Sequence, residues 1–580
     1  MNPNPSHTDV LIVGAGPTGL TLACELARRG VRHRIIEAAP TPFTGSRAKG
    51  TQPRSLEVFD DLGIVDEVIA GGRFHMPMRL YGEDGSSKDV DPHEGRQPSP
   101  DVPYASTLIV AQARVEAILR KRLAQSMGTV QFGSALTSLT QDESGVAATI
   151  THAGAKPGLP GQPEVVRARW LVGCDGGRSA TRHQLGLPFE GTTAEQQRMI
   201  VADVELNGLD RDFWHIWQGK AGFFALAPLP ASNAYQLQAA LGDEVEQPSE
   251  QLLRELLKQR TGRSEIELVG ASWMSLWRAN VRMVERYRVR RVLLAGDAAH
   301  VHSPAGAQGM NTGIQDAYNL GWKLAAVING AADELLDSYE EERLPIAAWV
   351  LGLSTRLSEG AFAARGLFTR RGPETLQLEL NYRGCRLSID ERPGCAKVVA
   401  GDRAPDSSGL APCIGTGVNA NQVSGATKRL FDLYRGTHFT LVAFGESVSA
   451  PLDHLARRFG SALACYRIVE KPAAAGSADA TPALLDPAGA TRSIYGAAAG
   501  DVLLVRPDGY VGFAAHAPTI AALAGYLESV LAREPVNACC DRALERVARD
   551  ACRTATPPCA AQEPRDRQTR TGAGVCRADR

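Results

Sequence analysis

Apolar residues change period several times along this chain, and each change marks an element. Residues 9–13 (DVLIV) form a short β-branched run, the pattern of a strand buried on both faces. Leu20, Ala23, Leu26 and Ala27 then recur at helical spacing, Gly30 closes that helix, and residues 34–37 (RIIE) make a second strand. Further buried strands are predicted at 165–174 and 291–295, the latter leading through a glycine-rich turn into a helix over 312–328. Between them, residues 190–275 alternate apolar and polar positions and carry Phe213, Trp214, Trp217, Phe223 and Phe224, the pattern of a mixed sheet with most rings in its core. Residues 82–106 read as a polar, proline-bearing loop.

From about residue 396 a second pattern begins. Strands are expected at 438–444 and 465–469 around a helix at 452–459, then a strand pair, 502–506 and 510–514, around Pro507, Asp508 and Gly509. After Glu534 the periodicity stops: the last 45 residues hold nine arginines and five cysteines, with one short helix at 540–552 and disorder elsewhere.

Bulk composition narrows the class. A chain of 580 residues, 44% hydrophobic and 22% charged, is expected to form several domains of an ordinary globular protein. A formal charge of -1 gives no electrostatic case for nucleic acid or an anionic membrane. No stretch reaches the roughly 18–20 apolar residues of a membrane span. The apolar run 10–27 lacks a preceding Lys or Arg and is interrupted by three glycines, so it does not read as a signal peptide, and a cytoplasmic location is expected. The 11 cysteines contain no CxxC, and the cysteine-bearing tail has no histidine; reduced thiols and no metal site are the expectation.

Chemistry enters at two glycine-rich turns. The first, GAGPTG, follows the 9–13 strand: Gly14 permits the tight turn, Gly16 lets backbone approach a pyrophosphate, and Gly19 packs helix on strand. Pro17 and Thr18 open the helix, whose N-terminus presents free N–H groups to phosphates. Glu37 at the end of the second strand is placed to accept a ribose hydroxyl and to repel a 2′-phosphate, which fits FAD or NAD and not NADP. A similar string at 415–420 has no flanking strand or helix and is discounted.

The second turn, GDAAHVHSPAGAQGMN (296–311), has different spacing and no following ribose acid. Asp297 ends a strand, where a carboxylate meets ligand hydroxyls, and Gly306, Gly309 and Gly313 leave backbone bare for a flat ring. One long ligand with phosphates at one end and a ring system at the other explains both turns, and FAD has that shape. His300 and His302, two apart, lack a companion ligand cluster and read as structural.

Three segments in order, GAGPTG, GCDGGRSATR (173–182) and GDAAH with its glycine-rich sequel, resemble the class A FAD-dependent aromatic monooxygenases of the para-hydroxybenzoate hydroxylase type. SRAKG (46–50), RSLE (54–57) and 277–299 are similar to the pentachlorophenol monooxygenase and phenol hydroxylase branch. The resemblance implies an α/β fold: a Rossmann-like FAD-binding domain (1–75, 109–189, 276–385), an inserted mixed β-sheet substrate domain (76–108, 190–275) and a thioredoxin-like C-terminal domain (396–534), before a disordered tail (535–580). It implies that Asp297 binds the ribityl chain, that Arg47, Gln112 and Asp175 with Gly176 touch the cofactor, and that backbone from Pro304 through Gly306, Gly309 and Met310 to Asn311 flanks the isoalloxazine. Ala307 departs from the glycine found there in many relatives.

The implied reaction is hydroxylation of a small phenolic substrate with O2 and transient NADH or NADPH, through a flavin C4a-hydroperoxide. For catalytic contacts the expectation names Lys49, Arg282 and Tyr287, each with a bland alternative: surface lysine, salt-bridge partner, core ring. The thioredoxin-like unit has no cysteine at 445–451 and is expected to be redox-dead and structural, in a possible homodimer. Two other readings stay open: a same-fold epoxidase or hydroxylase of a larger polyketide or antibiotic substrate, and a flavin-binding protein without oxygenase turnover.

Overall fold

Three sheets carry the chain in the computed structural model, which describes residues 6–153, 160–219, 222–242, 247–303, 306–362, 372–394, 396–413, 427–445, 449–471 and 481–531. The first is centred on Ser6–Val13, whose Val10, Leu11 and Ile12 are wholly buried, so both faces need cover and both flanks a partner strand. Ser6–Val13 pairs in parallel with Pro160–Gly173 and with His33–Ile36; Val292–Leu294 adds outside the former and Val130–Gln131 outside the latter. The register sets Val13 beside Gly173 and Gly173 beside Leu294. The three motif-bearing turns therefore leave the sheet at one carboxyl edge, the place where open parallel sheets bind ligands.

The second sheet is mixed and mostly antiparallel. Its central strands Glu190–Asn207 and Glu267–Met283 pair along most of their length, followed outward by Ala234–Leu241, Gly222–Pro228 and Trp214–Gly219. The alternation seen in the sequence sorts onto two faces. Ile200, Ala202, Val204, Trp217, Phe224 and Leu226 pack against the amphipathic helix Glu250–Thr261. Trp214, Ile216, Ala225 and Ala227 point the other way, towards Met76 and Ile109. Residues 82–106 are less irregular than their composition suggests, because Ser87–Val90 forms a hairpin with Met78–Tyr81 at the sheet edge.

The third sheet runs Ile389–Asp390, Val511–His516, Asp501–Val505, Phe439–Phe444, Leu463–Val469, Ala483–Leu485, Ala411–Cys413. Phe439–Phe444, Ser449–Phe459 and Leu463–Val469 make a parallel β–α–β unit, and Asp501–Val505, Val511–His516 and Ile520–Val530 a β–β–α unit, the chain order of a thioredoxin-like fold. Its Asp508 turn is driven into the first domain. The Asp508 carboxylate accepts from Asn319 Nδ2 (3.2 Å), Trp322 Nε1 (3.0 Å) and Arg506, and its carbonyl accepts from Arg54 (2.6 Å). Residues 446–448, within the segment where a redox-active unit would carry its cysteines, and the tail from 532 onward lie outside the described residues. Among the described residues no helix is long and apolar enough to cross a membrane, and Cys24, Cys174, Cys385 and Cys465 are free thiols.

Candidate cofactor and substrate site

Steric closeness ties the three turns together. A Cβ on Gly14, whose φ is +102°, would lie 2.3 Å from the Cys174 carbonyl, so the first turn rests directly on the turn carrying Asp175. A Cβ on Gly296 or on Gly313 would lie 2.5 or 2.4 Å from Thr18 Oγ1. The helix Pro17–Arg28, the end of the Val292–Leu294 strand and the helix Gly309–Ile328 thus meet at Thr18, which brings the two glycine-rich turns together. The Cβ direction of Gly16 meets nothing within 4 Å, and no side chain caps the Pro17–Arg28 helix. Open space beside uncapped helical N–H groups is the cradle a pyrophosphate needs.

Several predicted cofactor residues already hold protein groups. Glu37 accepts from the amides of Ala15 and Ala39, both at 2.9 Å, which fixes its carboxylate against the turn. Asp175 accepts from Ser179 Oγ (2.6 Å), Thr181 N (3.0 Å) and Thr181 Oγ1 (3.1 Å), so it also builds the turn into Ala180–Gln184. Gln112 accepts from the Ala48 amide (3.1 Å) and donates to Glu116 (2.8 Å), pinning the loop that carries Arg47 and Lys49. Asp297 is accessible, yet it stands in a deep recess. Desolvation there raises its pKa, opposed by His300 and Arg47. Arg47 also lies over the Phe43 ring, 5.8 Å from its centroid.

Glu116 is buried behind Gln112, and burial, with a further push from Glu37, moves its pKa up to about 7. The folded chain therefore binds a proton that the unfolded chain has released between roughly pH 4.5 and 7, and stability falls as pH rises through that window. Glu116→Gln removes the charge, so it is expected to stabilise the protein at pH 8 by about 3 kcal/mol and to change little at pH 4. Urea denaturation at the two pH values reads the difference.

The turn expected to flank the isoalloxazine is built by a polar staple. Asn311 Nδ2 donates to the carbonyls of Gly50 (2.9 Å) and Ala307 (2.7 Å), while its Oδ1 accepts from the Gln52 amide (2.8 Å). Gln52 Nε2 returns to the Gly306 carbonyl (2.9 Å). The 50–52 loop and the 306–311 turn thus lie together, with Gly309 and Met310 opening the helix; Pro304 is outside the described residues. Ala307 sits at φ +55°, a left-handed conformation that a Cβ disfavours. Ala307→Gly is expected to stabilise the fold by about 1 kcal/mol, strain relief outweighing the added freedom of the unfolded chain. A higher melting temperature with FAD affinity retained checks this.

Above that staple the 46–50 loop meets the second sheet. Ser46 Oγ donates to Asp203, Gln236 Nε2 donates to Ser46, and Lys49 Nζ donates to Gln236 while lying 4.3 Å from the centroid of Trp214. Asp203 and Gln236 are a cross-strand pair. Both are buried, and desolvation raises the Asp203 pKa against the pull of Ser46 and Lys49. Neither residue was singled out in the sequence; the signal available was an acid inside the otherwise apolar run 199–204.

The other two expected catalytic side chains are placed differently. Arg282 donates to the Phe189 carbonyl (3.0 Å) and to Thr193 Oγ1 (2.9 Å), and its backbone pairs with Val301 of the second turn. Tyr287 is fully buried, 5.5 Å from Tyr339 and 6.1 Å from His300 between ring centroids, with an unpartnered hydroxyl. Core packing, which leaves it no accessible surface, makes substrate contact unavailable to it. His300 Nε2 contacts Asp316 (2.7 Å) and His302 Nδ1 contacts the Ser303 carbonyl (2.9 Å), so the pair is held by separate protein partners.

Comparison with known proteins agrees with this geometry. The FAD binding domain family matches residues 7–354, and the HcaD C-terminal domain family matches 419–530. A flavin-dependent monooxygenase of Mycobacteroides abscessus is 43% identical over 512 residues, covering 87% of this chain and 96% of its own. The 6-methylpretetramide 4-monooxygenase of Streptomyces rimosus is 34% identical, covering 88% and 91%. Among solved structures, aklavinone-11 hydroxylase in complex with FAD and aklavinone superposes with a TM-score of 0.74 at 28% identity, covering 91% of this chain and 100% of that one. The chain belongs to the FAD-binding-domain family of flavin-dependent monooxygenases. It is an FAD-dependent enzyme of the hydroxylase type, with NAD(P)H as the reductant typical of its family. The pentachlorophenol monooxygenase and phenol hydroxylase branch suggested by the sequence is corrected in emphasis: pentachlorophenol 4-monooxygenase of Sphingobium chlorophenolicum matches at 33% over 75% of this chain, a shorter match than that of the 6-methylpretetramide 4-monooxygenase.

Proposed function

We propose that this enzyme hydroxylates a polycyclic phenol of polyketide type, held between the flavin ring and the second sheet. The observation that carries the reading is the buried Lys49–Gln236–Ser46–Asp203 cluster, set on the sheet face that looks towards the 306–311 turn. Beside it the buried side chains of Trp214, Ile216, Ala225, Ala227 and Met76 form one apolar wall. Two relatives, the 6-methylpretetramide 4-monooxygenase and aklavinone-11 hydroxylase, support a large substrate. Asp297, Arg47 and the open cradle at Gly16 would hold FAD, with the bare backbone at Gly306 and Gly309 against its ring.

FAD, when bound, supplies acceptance of hydride from NAD(P)H and activation of O2. The chain does the rest. Lys49 Nζ presents positive charge to a substrate hydroxyl and favours the phenolate, the form whose ring carbons are richest in electrons. Gln236 fixes the ammonium, and Asp203 behind Ser46 balances its charge so that the lysine can be buried. The apolar wall excludes water, which keeps the activated oxygen from being lost as H2O2.

The test scores product and H2O2 together during NADPH oxidation with 1,8-dihydroxyanthraquinone and with phenol. Faster oxidation and a one-oxygen product from the anthraquinone, with phenol uncoupled, is expected. Efficient phenol hydroxylation with no response to the anthraquinone would overturn the polycyclic reading.

A further inference from the structure

A second recess lies at the outer end of that wall. Arg73, Met76, Arg211, Asp212, Pro228 and the 230–233 turn line a cavity of about 720 Å³. Met76 is common to both: it packs with Trp214 and Ala227 in one apolar cluster. Ala227 pairs across strands with Gln236, the partner of Lys49, and Pro228 is the next residue out. Met76 therefore links the apolar wall beside the Lys49 cluster to the outer cavity.

The two arginines are not equivalent. Arg211 donates to four carbonyls, those of Leu229, Ser232, Asn233 and Ala234, and stacks on Tyr235. It is spent on shaping the turn. Arg73 is held in place by its backbone, bridged to Ile109, and gives one guanidinium nitrogen to the Arg211 carbonyl at 3.3 Å. No carboxylate among the described residues lies within ion-pair distance of it. Asp212, the one acid in the lining, is exposed and its amide is turned to Asp210. A half-buried guanidinium with donors to spare, at the outer end of that apolar wall, has the chemistry of a carboxylate or enolate receptor.

We infer that this cavity is an outer subsite of the substrate pocket, in which Arg73 binds an anionic oxygen at the distal end of the polycyclic substrate and so sets which ring reaches the flavin. The inference rests on the polycyclic reading above. It names the substrate class more narrowly, as an acidic fused-ring phenol.

The test uses the FAD-loaded full chain and two probes that differ by one group, 1,8-dihydroxyanthraquinone and its 3-carboxylate, with binding followed by quenching of tryptophan fluorescence. The carboxylate is expected to bind about tenfold more tightly than the parent. Arg73→Met is expected to abolish that preference and leave the parent's affinity unchanged, while Arg73→Lys keeps part of it. Equal affinities in the wild type, or a preference that survives Arg73→Met, would overturn the subsite while leaving the polycyclic reading standing. Binding of neither probe would overturn both. Because the Arg73 backbone bridge is untouched by either substitution, a parent affinity that holds in the variants also shows that the fold is intact.

Discussion

Asp316→Asn is expected to lower the stability of the protein by about 3–5 kcal/mol and to loosen FAD by at least about tenfold. The carboxylate is wholly buried and bound on both oxygens: Arg343 Nε reaches Oδ1 at 2.7 Å, while His300 Nε2 (2.7 Å) and the Gly296 amide (3.1 Å) reach Oδ2. Removing its charge strands Arg343, which is buried too and, among the described residues, otherwise holds the Thr312 carbonyl and the Tyr382 hydroxyl. The Gly296 contact is the link to function, since Gly296 precedes Asp297 and rests on Thr18 of the first turn. Thermal unfolding measures the first effect and FAD fluorescence titration the second. A lowered melting temperature with unchanged FAD affinity would make Asp316 purely a packing residue.

The second large effect belongs to the third sheet. Asp508→Ala removes the carboxylate that Asn319, Trp322 and Arg506 share across the junction with the FAD domain. Arg506 keeps Glu342, at 2.6 and 2.9 Å, but Glu342 already serves Lys323 at 2.6 Å, so two buried cations are left to one carboxylate. Lys323 is under strain already: burial lowers its pKa to about 8. The expected loss is about 3 kcal/mol or more. Lys121→Ala, which breaks a largely exposed pair with Glu67, should stay within about 0.5 kcal/mol. Denaturant midpoints of the two variants separate the cases. Similar small shifts in both would show that the Asp508 turn only rests on the FAD domain.

How much of this was legible beforehand follows from the kind of signal each residue emits. Strand, turn and helix around Gly14 are local, and the chain folds there as its periodicity and glycines dictate. The Asp508 turn was visible as a hairpin, but its role as an anchor was not, because its partners Asn319 and Trp322 are nearly two hundred positions away. In the second sheet, alternation announced two faces without saying which is wet. Gln236, a polar residue, is buried because that face meets the 46–50 loop. The same blindness explains Asp203. Tyr287 was proposed from its place before the Asp297 strand, and sequence nearness to a motif does not fix which way a side chain turns. Ala307 was conspicuous by residue type alone, but only its φ shows what the methyl costs.

The claim on which the rest depends is that one ligand spans both glycine-rich turns. Competition titration of the apoprotein with FAD, ADP and FMN addresses it directly, since ADP can use only the turn at Gly16 and FMN chiefly the turn at Asp297. The account predicts that FAD binds at least about a hundredfold more tightly than either fragment, and that each fragment displaces it. FAD binding no more tightly than ADP would mean that the 296–311 turn takes no part in holding the cofactor, and would contradict the account.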